Sequence, residues 1–201
     1  RNGIVPEKFN FERKPKNANK VVWMSSPDRG LDNCMLVMDK MREDNPNLEL
    51  HVYYGLDNLY KYGLGELAEK LNVMMSERPW VIYHGFTEQS KMYQEVSDAV
   101  LWLHPCNFIE SFCITALEML ALGIFPLTRS LGALQNTLAD AESKDQACML
   151  PHGGNTDAER EEYAIQGLAI IEFKEWEYVN LDIEKHSWAS VAQEWIKEMS
   201  L

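Results

Sequence analysis

The chain has 201 residues, 46% hydrophobic and 25% charged, enough for one globular domain or two small ones with a sizeable core. Lys and Arg number 19 against 31 Asp and Glu, a formal net charge of −12. That surplus repels phosphate backbones and anionic lipid and so excludes a general nucleic-acid or membrane-surface role, while locally placed donors can still hold one small anion.

Residues 1–19 are polar, contain Pro6 and Pro15, and read as a linker or edge segment. A first strand is expected at Lys20–Ser26 (KVVWMSS). The following helix, Leu31–Arg42, carries Leu31, Met35, Met38 and Met41 at i, i+4, i+7 and i+10. Strands then recur at Leu48–Tyr54, Trp80–His84, Ala99–His104 and Gly123–Thr128, with a weaker one at Ala147–Leu150. Helical spacing fills Gly65–Met75, Glu88–Ser97 and Ser111–Leu122. Four of the five main strand runs lack polar alternation, as strands covered on both faces do. The alternation predicts an α/β domain over residues 20–155, a doubly wound parallel sheet of about six strands. From Thr156 the pattern is helical only. Thr156-x-x-Glu159 is a capping box opening a helix to about Phe173, and Ser187 caps a last helix with Trp188, Val191 and Trp195 on one stripe. Residues 156–201 are expected to pack on the same domain, with the two Trp facing the sheet or a neighbour supplied by a longer chain. The first residue is Arg rather than Met, which fits a piece of a longer protein.

No apolar run reaches the roughly 18 residues of a spanning helix, and no signal-peptide pattern opens the chain. Cys34, Cys106, Cys113 and Cys148 show no CxxC or short Cys/His ligand spacing, so reduced thiols and a cytoplasmic location are expected. His104 with Cys106 offers two ligands on a strand end, which is not a metal site. No cofactor or metal is expected.

The stretch 98–128, DAVLWLHPCNFIESFCITALEMLALGIFPLT, carries the chemistry. A strand ends at Pro105, a loop follows, and a helix is expected from near Ser111 with Glu110 just before it and Glu118 about two turns inside. Eight residues at helical rise separate the carboxylates by roughly 12 Å, which suits one extended ligand held at two polar points. The helix N-terminus between them offers free N–H groups toward the strand ends, where diphosphates bind in doubly wound sheets. Spacing alone also allows a plain reading, with Glu110 an N-terminal helix carboxylate and Glu118 solvated.

Glu110 and Glu118 form E-x7-E, and the text around them, HP-x4-E-x-F-x4-LE-x2-AL-G-x2-P, resembles the signature of retaining GT-B glycosyltransferases of family 4. His84-Gly85-Phe86 with Tyr93 and Ser97-Asp98-Ala99 is similar to the segment preceding that motif. Gly132-Ala133-Leu134 is similar to the turn following it, and Asn2-Gly3-Ile4 with Phe9 to the linker into the C-terminal domain. The resemblance covers nearly the whole chain, and only the donor-binding half of such an enzyme. It implies that Glu110 binds donor-sugar hydroxyls beside the backbone N–H groups of Phe112, Cys113 and Ile114. It implies that Glu118 accepts from the ribose hydroxyls. Arg29, with Ser26 just ahead and Gly30 just after, matches the family's Lys-Gly at the first strand–helix turn and would stabilise the departing nucleoside diphosphate. Arg29 and Glu110 would thus serve the reaction itself, and Gly85 and Phe86 would lie beside the base.

The sequence also departs from the family. The separate Arg a few residues before the Lys position has no counterpart, Ser25 and Ser26 standing there. Cys106 stands for a usual Ser and Cys113 for a usual Gly; Cys113 is expected to be a buried small hydrophobe rather than a nucleophile. The implied partners are a nucleotide-sugar, an N-terminal acceptor half, and an acceptor glycan, lipid or protein. A non-catalytic sugar-nucleotide-binding or assembly module of this fold and an unrelated flavodoxin-like binding domain are the alternatives; the second has no need of E-x7-E with Arg29.

Overall fold

The computed structural model describes residues 2–139 and 146–200. Six strands form one parallel sheet: β1 (Lys20–Trp23), β2 (Glu49–Val52), β3 (Val81–Tyr83), β4 (Leu101–His104), β5 (Phe125–Arg129) and β6 (Cys148–Leu150). Their order is β3-β2-β1-β4-β5-β6, so the chain reverses its winding between β1 and β4. Helices α1 (Leu31–Asp44), α2 (Asp57–Lys61), α3 (Gly65–Ser76), α4 (Gln89–Val96), α5 (Ile114–Ala121) and α6 (Leu134–Ala139) lie between strands. Helices α7 (Asp157–Glu172) and α8 (Trp188–Met199) follow. This is the expected doubly wound α/β architecture.

Side chains alternate across the sheet into two cores. Val21, Trp23, Leu101 and Leu103 join α1, α3 and α7 on one face. Val22, Met24 and Trp102 join α4, α5 and α6 on the other. Both faces are covered, which is why β1 and β4 are apolar without alternation. The edge strand β3 is only half-covered. Gly167 of α7 lies over Met41 of α1, where an added Cβ would stand 2.8 Å from the Met41 methyl.

Two of the expected features shift. Helix α5 starts at Ile114 rather than Ser111, because Cys113 sits at φ 61° and ψ 75°, outside helical geometry. Glu110 therefore lies in the loop and Glu118 in the second turn of the helix, so the helical separation worked out above does not apply. Around α7, Thr156 Oγ1 accepts from Glu159 N (3.3 Å), but the Glu159 carboxylate accepts from Asn155 N (2.8 Å), one residue earlier than a reciprocal box.

The two ends of the chain meet. Ile4 bridges Ser187 in parallel, with Ile4 N donating to His186 O (2.9 Å) and Trp188 N to Ile4 O (3.2 Å). Further along, Arg13 Nη2 donates to Ala121 O (2.6 Å) and Lys16 Nζ to Leu122 O (3.1 Å). These cations satisfy carbonyls at the C-terminal end of α5 that no helical N–H can reach. Burial lowers the Lys16 pKa to about 8. Helix α8 buries only Val191, and Trp188 and Trp195 remain 43% and 45% exposed, so their stripe is not part of the sheet core. Among the described residues, no helix is long and apolar enough to cross a membrane.

Candidate active site

Where a doubly wound sheet reverses its winding, the loops leaving the two central strands diverge and leave a crevice at their C-terminal ends. Here those loops are residues 24–30 after β1 and 105–113 after β4. They are stitched together. Gly30 adopts φ +122°, and an added Cβ would stand 2.6 Å from Pro105 O; Asn107 N donates to Arg29 O (3.1 Å). Only glycine permits that approach.

Arg29 and Glu110, expected to act together, do meet. Arg29 Nη1 lies 2.5 Å from Glu110 Oε1, and the guanidinium sits 4.5 Å from the centre of the Phe108 ring. Glu110 is buried while a third of the Arg29 side chain faces water. The backbone of Glu110 is held from behind, since Ala133 N donates to Glu110 O (2.8 Å) and a Cβ on Gly132 would stand 2.6 Å from that oxygen. The Gly132-Ala133-Leu134 turn thus fixes the loop that carries Glu110. The Ser26 hydroxyl donates to Asp28.

The N–H groups of Phe112, Cys113 and Ile114 have no protein acceptor among the described residues. They open the N-terminus of α5, where free donors and the helix dipole favour an anion. Cys113 is buried, and burial pushes its thiol up to about 12, so it remains a thiol at neutral pH.

Glu118, in the second turn of α5, has its own set of partners. It is 8% exposed, far from the solvated carboxylate of the plain reading. Tyr93 Oη (2.5 Å) and Gln89 Nε2 (3.0 Å) both donate to its Oε1. Burial raises the Glu118 pKa, opposed by Tyr93, Lys8 and Gln89. Glu118 borders a cavity of about 380 Å³ shared with Tyr53, Asn58, Phe86, Gln89 and Met92. Phe86, 86% exposed, leans over this cavity from the left-handed turn at Gly85 (φ +66°).

His104, at the end of β4, is fully buried, stacks on Trp102 (4.5 Å between ring centres) and meets the Trp23 ring at a tilt of 45° (5.1 Å). Thr128 Oγ1 donates its proton to His104 O (2.9 Å) and so accepts from Nδ1 (3.2 Å). That leaves Nε2 as a buried lone pair without a partner among the described residues. Burial, with Arg29 nearby, lowers the His104 pKa to about 3. His104, Cys106 and Glu110 present ligand atoms within 4.8 Å of one another, a grouping that the sequence reading left at two residues. An ion there would compete with the Arg29 guanidinium for Glu110, and the Cys106 thiol is held up at about 11 by burial. The donor set fits a guanidinium better than a metal ion.

Sequence reasoning missed the partners that orient the carboxylates. Tyr93 was visible as a motif residue without its role; Gln89, Lys8 and Phe108 carried no signal, since Gln89 reaches Glu118 across 29 residues of chain, Lys8 reaches Gln89 across 81, and Phe108 offers Arg29 only a ring face.

Fold and crevice define a Rossmann-like α/β domain. Residues 5–157 match the family model of the glycosyl transferases group 1, and the chain belongs to that family. No curated protein sequence matches it significantly. Similar solved structures include the pneumococcal O-GlcNAc transferase GtfA in complex with UDP and GlcNAc, with a TM-score of 0.67 at 16% identity, covering 92% of this chain and 36% of that one. Anabaena Alr3699/HepE in complex with UDP and glucose gives 0.65 at 16% identity, covering 90% and 48%. A glycosyltransferase from Rickettsia africae ESF-5 gives 0.65 at 12% identity, covering 98% and 54%. At such identities the likeness is one of fold. The chain spans 36% to 54% of the length of these three structures.

Proposed function

We propose that this chain is the donor-binding part of a retaining glycosyltransferase of the GT-B, family 4 type, working in the cytoplasm without a metal ion. It would transfer a sugar from a nucleotide-sugar to a glycan, lipid or protein acceptor brought by an N-terminal half of the parent protein. One observation carries the reading: Arg29 pairs with the buried Glu110 in the loop ahead of α5, and a second buried carboxylate, Glu118, lies in the second turn of that helix, at the point where the sheet reverses. The family membership and the UDP present in similar structures support it.

In this reading Glu118 accepts from the ribose diol, the cavity under Phe86 takes the base, and the α5 N-terminus and Arg29 hold the diphosphate. Glu110 accepts from hexose hydroxyls. During transfer the bond from the anomeric carbon to the diphosphate oxygen breaks and its electron pair leaves with the nucleoside diphosphate. The acceptor hydroxyl oxygen bonds the same face of that carbon, and its proton passes to the departing diphosphate oxygen. Charge grows on the leaving oxygen, so an arginine there contributes more to the transition state than to binding.

The test is thermal stabilisation by UDP-, GDP-, ADP- and dTDP-sugars, since a ligand at 100 times its Kd adds about 2.7 kcal/mol. One strong responder, with turnover and unchanged anomeric configuration in the parent protein, supports the reading; no stabilisation by any of the four rejects it. A binding-only module is the rival, favoured by the serines where the family's second basic residue stands. Binding without turnover by the parent protein would decide for it.

A further inference from the structure

We propose that Lys8, on the segment ahead of the sheet, is a positioning residue for nucleotide binding, which orients Gln89 and through it the Glu118 carboxylate. The inference rests on the reading of Glu118 as a ribose contact and adds a device that lies outside the sheet and its crevice loops.

Lys8 belongs to a short 3-10 helix, Pro6–Phe9, packed on α4. Its ammonium donates to Gln89 Oε1. An amide has one acceptor end and one donor end, and an ammonium can only donate. With its oxygen held by Lys8, the amide of Gln89 must turn its NH2 toward Glu118, and Nε2 donates to Glu118 Oε1 at 3.0 Å. The next residue, Phe9, stacks on Tyr93 with ring centres 4.9 Å apart and planes 17° from parallel, and Tyr93 Oη donates to the same Oε1 at 2.5 Å. Two consecutive residues therefore address the two partners of one carboxylate.

Both donors converge on Oε1, and Oε2 has no protein partner among the described residues. That is the arrangement a ligand hydroxyl pair requires: a carboxylate fixed at one oxygen and open at the other. Without Lys8 the Gln89 amide can turn over, placing its oxygen against Glu118 acceptor to acceptor. The carboxylate would then rotate or take up a proton. Lys8 also lines a cavity of about 200 Å³ with Gln89, Tyr93, Glu118 and Trp188, so its charge lies beside the buried carboxylate. The groups facing Glu118 are Tyr93 and Gln89 from α4 and Lys8 from the 3-10 helix, and Lys8 in turn faces Glu88.

The test is calorimetric titration of this chain with whichever of UDP, GDP, ADP and dTDP stabilises it most, in Lys8→Met, Lys8→Arg, Gln89→Leu and Glu118→Gln variants. Glu118→Gln is expected to weaken binding by about tenfold or more, as loss of a charged acceptor does. Lys8→Met should lose about three- to tenfold, the loss growing from pH 8 to pH 6, and Lys8→Arg should stay within about twofold of the parent. Added to Glu118→Gln, Lys8→Met should have no further effect. A merely structural Lys8 would lower melting temperature equally in both backgrounds and leave the pH profile alone. If Lys8→Met fails to fold, Gln89→Leu carries the same comparison. Lys8→Met and Gln89→Leu both binding as the parent while Glu118→Gln does not would overturn the proposal and leave the reading of Glu118 intact. Normal binding by Glu118→Gln would overturn that reading, and the proposal with it.

Discussion

Arg29 and Glu110 are 81 residues apart in the chain, yet their side chains meet at 2.5 Å across the two central strands. The pair makes Arg29 a stabilising residue as well as the cation of the proposed donor site. Arg29→Ala leaves a buried carboxylate alone, at an expected cost of about 2–4 kcal/mol in urea unfolding, moderated because Arg29 is a third open to water. Arg29→Lys should recover most of that. In the parent enzyme Arg29→Ala should lower kcat by more than it raises KM. A kcat/KM within about twofold of the unmodified enzyme would contradict a role at the leaving group.

The two carboxylates should separate by ligand. Glu118→Ala is expected to weaken nucleoside diphosphate and nucleotide-sugar alike, by roughly 1.5–3 kcal/mol for a charge-assisted contact. Glu110→Ala should weaken only the nucleotide-sugar, because the free diphosphate has no hexose to contact. Calorimetry with both ligands reads this directly, and equal losses in all four titrations would reject the division.

Gly30 and Gly132 hold the crevice loops where a Cβ would stand 2.6 Å from a backbone oxygen, at φ +122° and +60°. Gly30→Ala and Gly132→Ala should each cost about 1–3 kcal/mol, since backbone has to move. Gly167→Ala meets only the flexible end of Met41 and should cost less. Denaturant midpoints rank the three variants.

Cys113 is a non-glycine residue at φ 61°. Cys113→Gly relieves backbone strain and loses a buried thiol, two effects of similar size, so stability should change by less than about 1 kcal/mol. Cys113→Val puts a β-branched side chain in the same left-handed conformation and should cost about 1–3 kcal/mol. Thermal melts at equal concentration distinguish them.

His104 titrates at about 3 in the folded protein against 6.5 for an unperturbed histidine. Between those values the unfolded chain binds the extra proton, so stability falls as pH drops below about 6.5, by about 1.4 kcal/mol per pH unit from this group. His104→Phe keeps a ring on Trp102 and Trp23 and removes the proton. The gap between variant and parent should shift in favour of the variant as pH falls from 7 to 5, with His51, lowered to about 4, still contributing in both. A gap independent of pH would show that the fold leaves the His104 pKa where the unfolded chain has it.

The sheet was legible because β1 and β4 are apolar on both faces and because Leu31, Met35, Met38 and Met41 repeat with helical period. Helices α2 and α6, five and six residues long, were not, since so few residues show no period. The start of α5 was misplaced for a local reason: Cys113 adopts a backbone conformation that its identity does not announce. The charged members of the site could be named from their spacing and resemblance. Their neighbours could not, because Lys8 reaching Gln89 or Gly132 seating Glu110 depends on how distant turns come together.

The topology also bears on how the site comes into being. β1 pairs with β4 across 80 residues of chain (21 to 101), whereas β4 pairs with β5 across 24 (101 to 125). Loop closure over the longer separation costs about 1 kcal/mol more entropy. Arg29 leaves one of those central strands and Glu110 the other, so their ion pair cannot form until the most entropically demanding pairing of the sheet is in place. Folding kinetics would find the crevice among the last features to assemble, and its ion pair a marker of that final step.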